Sequence, residues 1–193
     1  MSQPTRDEAW DLVCEWVQSE SLRKHLLGVE AAMVAYARER GGDEELWAVT
    51  GLVHDLDYER FPDLDDTENG HPRTALRLFE ELGWPREVID AVAGHATFLG
   101  VPRETDLAKT LFAVDELSGF IGACALVRPT GIEGMTPKSV KKKLKQPSFA
   151  AGVNRDEVRE GAEEMGVDFD EHVAFVIAAM EARADELGLT GQG

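Results

Sequence analysis

Gly51-Leu52-Val53-His54-Asp55-Leu56 sets a histidine and an aspartate side by side at the end of an apolar run. The run closes a helical pattern that Asp43 can cap and that Trp47, Thr50, Leu52 and Val53 carry up to the pair. An unpartnered His or Asp at a buried helix end is costly, and a divalent metal ion satisfies both. In a chain with 37 acidic residues the dipeptide alone says little, so its surroundings decide the reading.

On both sides of the pair, apolar residues recur at three- and four-residue spacing, and alternating strand patterns are scarce. Upstream, Thr5 and Glu8 form a capping-box pattern ahead of the stripe Trp10, Val13, Cys14 and Val17. Ser21 opens a second helix with His25, Val29, Ala32 and Tyr36, which Gly41-Gly42 ends. Downstream, Tyr58 to Gly70 reads as a loop, rich in Asp, Pro, Asn and Gly. His71-Pro72 starts a helix that reaches Gly83, and Pro85 starts another that reaches His95. A long apolar helix from Thr105 to Val127 carries Asp115, and a loop follows from Arg128 to Gly134. Thr136-Pro137 leads into the basic stretch Lys138 to Lys145, and Asn154 and Asp168 cap two final helices. The tail after Leu187 is expected to fray. The expectation is an all-α, single-domain fold: an N-terminal helix (1–20), a helical core (21–127) and a C-terminal helical extension (128–193) packed on it.

Composition narrows the function. Hydrophobic residues at 43% and charged residues at 30% are those of an ordinary globular protein. A net charge of −17 argues against a nucleic-acid binder, which gains affinity by neutralising phosphates, and against an anionic membrane surface. Cys14 and Cys124 suggest neither a disulfide framework nor a thiolate metal site. The residues from Met1 to Glu8 are polar and acidic where a signal peptide is basic and then apolar, so the expected compartment is cytoplasmic.

Other residues share the setting of the His-Asp pair. His25 lies on a stripe that otherwise reads as core, His95 follows Ala91-Val92-Ala93-Gly94, and His71 opens a helix. Asp115 lies within Leu111-Phe112-Ala113-Val114-Asp115-Glu116-Leu117, where an ionised carboxylate needs compensation. Taken singly, each histidine also reads as a hydrogen-bonded core residue, and Asp115 as a surface carboxylate or an ion-pair partner. Their joint order shifts the weight toward a shared site.

In that order, His25, His54-Asp55 and Asp115, the chain resembles the HD superfamily of metal-dependent phosphohydrolases. Two-metal members insert two further histidines before the last Asp, and His71 and His95 stand in those places; His172 is left as an ordinary surface residue. The stretches His54 to Glu59, Asp115 to Ile121, Lys138 to Lys143 and Phe149 to Arg155 are similar to a small stand-alone bacterial HDIG-type subgroup. Leu56-Asp57 stands where that subgroup has Ile-Gly, and the Gly-Tyr-Pro signature of cyclic-dinucleotide phosphodiesterases is absent, which argues against such substrates.

The resemblance implies an HD-type helical bundle in which His25, His54, Asp55 and Asp115 hold one metal. His71 and His95 then hold a second, with Asp55 bridging. The implied cofactors are one or two divalent transition-metal ions, iron or manganese before nickel, cobalt or zinc. The implied reaction is hydrolysis of a small phosphate ester or nucleotide-type phosphoanhydride by attack of a metal-bound hydroxide. Asp57 and Glu68 are candidates beside Asp55 for catalytic proton transfer or ligand orientation, against the reading of ordinary loop carboxylates. Arg128, Lys138 and Lys142 are candidates to bind the substrate, against the reading of a solvated basic helix face. The expected partner is a small phosphorylated substrate, nucleotides included. Two other readings share the ligand set: a mixed-valence di-iron oxygenase of the HD type, and a non-catalytic nucleotide-sensing HD module.

Overall fold

The computed structural model describes residues 3–191. Ten α-helices lie among them: α1 (Arg6–Trp16), α2 (Glu20–Arg40), α3 (Glu44–Val53), α4 (Arg73–Glu81), α5 (Arg86–His95), α6 (Asp106–Leu126), α7 (Pro137–Leu144), α8 (Arg155–Met165), α9 (Phe169–Glu181) and α10 (Ala184–Leu187). There is no strand among the described residues, only an isolated antiparallel bridge between Gly131 and Thr190, and the fold is all-α.

Side-chain caps set most helix starts. Thr5 and Glu8 form a reciprocal capping box, and Asp43, Thr105, Asn154 and Asp168 each accept from first-turn N–H groups. The second helix begins at Glu20, one residue before the expected Ser21: Ser19 is the cap, its hydroxyl accepting from Leu22 N at 3.2 Å. Glu59 fixes that start by accepting from the backbone N–H of both Gln18 and Ser19, each at 2.9 Å.

Helix α6 sits at the centre. Leu107, Leu111, Val114, Leu117, Phe120, Ile121 and Cys124 are buried against the surrounding helices, while Asp115, Glu116 and Gly119 face the cleft. Helices α2, α5, α8 and α9 pack around it. Two crossings depend on glycine. A Cβ at Gly51 of α3 would lie 2.9 Å from Glu30 Cα in α2, and one at Gly161 of α8 would lie 2.4 Å from Ala113 Cα in α6. Close backbone approach of α3 to α2 brings the end of α3, and with it His54, beside His25.

Two buried polar clusters tie distant parts of the chain together. Glu30, 3% exposed, accepts from Arg6 Nε at 2.8 Å and from Arg183 Nη1 at 2.9 Å, joining α1, α2 and the segment before α10. His172 corrects the reading of that residue as an ordinary surface histidine: it is 1% exposed. The α9 stripe places it inward, and its polar atoms are both partnered. Its Nε2 donates to Ala113 O at 3.0 Å, so its Nδ1 accepts the Tyr36 hydroxyl proton at 2.6 Å.

Burial holds the His172 imidazole below its ordinary value of 6.5, and the nearby Arg40 charge acts in the same sense. A histidine whose folded pKa is depressed contributes stability above its unfolded value and loses it as pH falls below that value. Thermal melts of chelated protein at pH 7.5 and pH 5 should therefore show an acid loss that is smaller in His172→Gln. Equal losses in the two proteins would exclude His172 as the group.

The tail after Leu187 is not frayed over its described part. Leu187 and Leu189 are buried, and Ile132 N donates to Leu189 O at 2.9 Å, so two apolar side chains anchor it to the loop that follows α6. No helix among the described residues is long and apolar enough to cross a membrane.

Candidate metal centre

The six metal-type residues come from five points of the bundle. His25 lies in the first third of α2, His54 and Asp55 follow the end of α3, His71 precedes α4, His95 ends α5, and Asp115 lies midway along α6. After Val53 the chain leaves the α-helix through i to i+3 turns, Leu56 N to Val53 O and Tyr58 N to Asp55 O, both at 3.1 Å. That tighter path swings Asp55 into the space between the other five.

The donor atoms form two triads. In the first, His25 Nε2 lies 3.3 Å from His54 Nε2 and 3.1 Å from Asp115 Oδ1, which is itself 3.3 Å from His54 Nε2. In the second, His71 Nε2 lies 3.3 Å from His95 Nε2 and 3.3 Å from Asp55 Oδ1, with His95 Nε2 3.5 Å from that same oxygen. The other oxygen of Asp55 turns toward the first triad, 3.9 Å from His25 Nε2 and 3.7 Å from His54 Nε2. One carboxylate thus presents one oxygen to each group.

Spacing and tautomers both fit bound metal. Ligand atoms about 2.1 Å from a first-row ion are separated by about 3.0 Å at octahedral and about 3.4 Å at tetrahedral angles, close to the observed edges of 3.1 to 3.5 Å. His54 Nδ1 donates to Gly51 O at 2.8 Å, His95 Nδ1 donates to Val92 O, and His71 Nδ1 donates to Asp57 Oδ1 at 2.7 Å. Because carbonyl oxygens only accept, His54 and His95 each hold a proton on Nδ1, which leaves Nε2 as the atom to ligate an ion in place of a proton. In each triad two imidazole Nε2 atoms meet at 3.3 Å, close enough to share either a proton or one metal ion. Nitrogen and carboxylate donors without thiolate suit first-row transition ions.

The charges of the site are mutually dependent. Burial works against an imidazolium at His54, yet Asp55 and Asp115 outweigh it and hold its pKa up at about 9. Burial likewise opposes ionisation of Asp55 and Asp115, but the facing histidines, His54 foremost, hold both below the usual carboxylate range. The carboxylates therefore carry negative charge into a buried centre, as a metal site requires. Glu116, beside Asp115, goes the other way: burial and the Asp115 charge push it up to about 7.

Five of the six residues, all but the fully buried His54, line an open cleft of 720 Å³. Tyr58, Leu64 and Phe98 form an apolar part of its wall, and Glu116, Asn154 and Glu157 a polar part. Glu116 Oε2 accepts from Asn154 N at 3.1 Å, and Glu157 Oε1 accepts from the Thr97 hydroxyl at 3.0 Å. No lysine or arginine lines the cleft among the described residues. Nothing in the one-dimensional pattern assigned Phe98 or Glu157 to the site; Asn154 was legible only as a helix cap, and Glu116 only as the neighbour of Asp115.

The remaining expected site residues fall in different places. Asp57 is fully buried and is no loop carboxylate. Its Oδ1 holds His71, and its Oδ2 accepts from Ala75 N at 2.8 Å in the first turn of α4, so it orients the His71 ring. Glu68 is exposed and outside the cleft wall; its backbone is tied into the loop by Asp66 and Arg77. Arg128, Lys138 and Lys142 also lie outside the cleft wall. The reason is length: α6 continues eleven residues past Asp115 to Leu126. At 1.5 Å per residue this carries the chain about 16 Å away before Arg128. Asp57→Asn should weaken metal binding about 10- to 100-fold, read by competition with a chelator, while the far-ultraviolet spectrum stays unchanged. Unaltered affinity would show that Asp57 does not act through His71.

Residues 22–119, just over half of the chain, match the HD domain family, and all six metal-type residues lie within that span. The chain belongs to the HD domain family. HD domains bind divalent metals and are typically metal-dependent phosphohydrolases. Ribonuclease Y of Thermus thermophilus is similar to this HD chain, 31% identical over 97 residues. That similarity covers 49% of this chain and 15% of the ribonuclease. No solved structure matches the chain.

Proposed function

We propose that this HD protein hydrolyses a small phosphate monoester or a nucleotide-type phosphoanhydride. The observation that carries this reading is Asp55, with one oxygen turned to each of two His-containing triads at the floor of an open cleft. Divalent first-row ions bound there would lower the pKa of a water and offset charge on a phosphoryl oxygen. The chain's own residues do the rest. Asp57, Gly51 O and Val92 O lock three imidazoles with Nε2 facing inward. Tyr58 and Phe98 offer apolar faces to the organic part of the substrate. Glu116 is placed on the wall to hold a proton for a leaving oxygen, since Asn154 N engages only its Oε2.

A small substrate is favoured over RNA, the substrate named for the ribonuclease relative. A cleft without lysine or arginine on its wall, in a chain of net charge −17, has no means of tracking a polyanionic backbone. The test is turnover by purified, metal-loaded protein on a panel of phosphomonoesters, nucleotides and an RNA oligonucleotide, with His54→Ala beside it. Hydrolysis of small esters or nucleotides that His54→Ala abolishes supports the reading. No turnover on any panel member, or turnover unchanged in His54→Ala, overturns it, and preference for the oligonucleotide replaces the substrate class.

A further inference from the structure

The basic residues excluded from the metal cleft are gathered elsewhere. Arg128, Lys142 and Lys143 line a separate hollow of 220 Å³ between the end of α6 and α7, together with Cys124, Ser139 and Gln146. Cys124 is nine residues beyond Asp115 on the same helix, which places the hollow about 13 Å along α6 from the metal centre.

The three cations share this hollow with no carboxylate on its wall. Arg128 is held by neutral groups: its Nε donates to Gly131 O at 2.8 Å, and its Nη2 to Glu133 O at 2.8 Å and Thr130 Oγ1 at 3.1 Å. Its Nη1 has no protein partner among the described residues. Lys143 lies over the Phe149 ring at 4.5 Å, a contact that fixes its stem without neutralising its charge. Neither Lys142 nor Lys143 pairs with an acid among the described residues, whereas their neighbour Lys141 pairs with Asp170 at 2.6 Å. Acids outnumber bases 37 to 20 in this chain, so neutralising partners were abundant. Three like charges left facing one hollow repel one another unless an anion joins them.

We propose that this hollow binds a phosphoryl group, as the free ion or at the end of a small metabolite. The free Nη1 of Arg128, from the loop after α6, and two ammonium groups of α7 supply charged donors suited to an oxyanion. The volume holds such an anion with several waters, each occupying about 30 Å³. The site is connected to the metal cleft by one segment. Gln146 borders the hollow and Asn154 borders the cleft. Arg155 gathers the chain around and between them by donating to the carbonyls of Leu144, Gln146, Phe149, Ala150 and Val153.

The experiment separates this hollow from the metal centre. Inorganic phosphate and, in a second arm, phosphoserine are titrated calorimetrically into the full chain, into Asp55→Ala, and into Asp55→Ala carrying Lys142→Gln and Lys143→Gln. Asp55→Ala should keep a phosphate site, and the added pair should weaken it about tenfold or more, while the pair alone leaves metal content and melting temperature unchanged. Tighter binding of phosphoserine assigns the hollow to a metabolite, and tighter binding of the free ion assigns it to phosphate. Equal phosphate affinity with and without the two lysines, or no binding to Asp55→Ala, overturns the proposal.

Discussion

Asp55→Ala is expected to strip metal from both triads at once and to lower turnover about 10³-fold or more. Its two oxygens face opposite groups, Oδ1 toward His71 and His95 and Oδ2 toward His25 and His54, so no other single side chain serves both. Removing it leaves two histidines in one group and two histidines with Asp115 in the other. The first becomes a bare imidazole pair, and the second loses the charge that couples the sites. Elemental analysis of the purified variant, paired with the turnover assay, checks this. Complete metal retention would exclude a bridging role. Loss from the His71–His95 side alone would show that the first triad stands without it. A matched Asp115→Ala protein is expected to lose the first metal preferentially, because Asp115 approaches only His25 and His54.

Glu30→Ala is the substitution expected to reduce stability most. The carboxylate is 3% exposed and is the shared acceptor of Arg6 and Arg183, each of which retains partial contact with solvent. Truncation leaves two cations facing each other in an enclosed space and removes the link between α1, α2 and the approach to α10. Breaking a buried pair costs about 3–5 kcal/mol, and the partial exposure of the arginines places the expected loss near the lower end, about 3 kcal/mol. For a chain of this length that corresponds to a drop in melting temperature of about 10 °C. Arg6 also contacts Asp7, and Arg183 also pairs with Glu186 at 2.7 Å, so single arginine truncations should cost less than loss of Glu30. Melting curves of Glu30→Ala, Arg6→Ala and Arg183→Ala, recorded on chelated protein, test that order.

Some of this was legible without a structure because it is local. A cap accepts N–H groups two or three residues ahead, and an apolar stripe repeats within a few residues. The capping box at Thr5, the caps at Asp43, Thr105, Asn154 and Asp168, and the glycine at the end of α2 could therefore be read directly. The second helix was misjudged slightly because Ser19 and Ser21 are both competent caps. The choice between them rests on Glu59, 40 residues away from Ser19.

The six metal-type residues were legible for a different reason. Polar, ligand-type side chains interrupting apolar stripes, such as His25, His54, His95 and Asp115, are uneconomical unless they find partners, and the order they share with the HD pattern adds His71 to the set. What that reasoning could not supply is direction and distance. Asp57 reads equally as a proton carrier, an orienting group or a loop carboxylate, and only the turns after Val53 aim it at His71. His172 looked superfluous until α9 packed it against Tyr36 and Ala113.

By itself, then, the sequence determined an all-α chain, the approximate course of its helices and the set of residues able to share a metal centre, because helix periodicity, capping and the cost of burying polar groups act residue by residue. Only the tertiary structure decided that Asp55 faces both triads, that Glu30 and His172 are enclosed, and that Arg128 and Lys142 lie beyond the far end of α6 rather than at the cleft. Those outcomes depend on how α2, α3, α5 and α6 cross, and crossings such as Gly51 against Glu30 are settled by contacts between residues far apart in the chain.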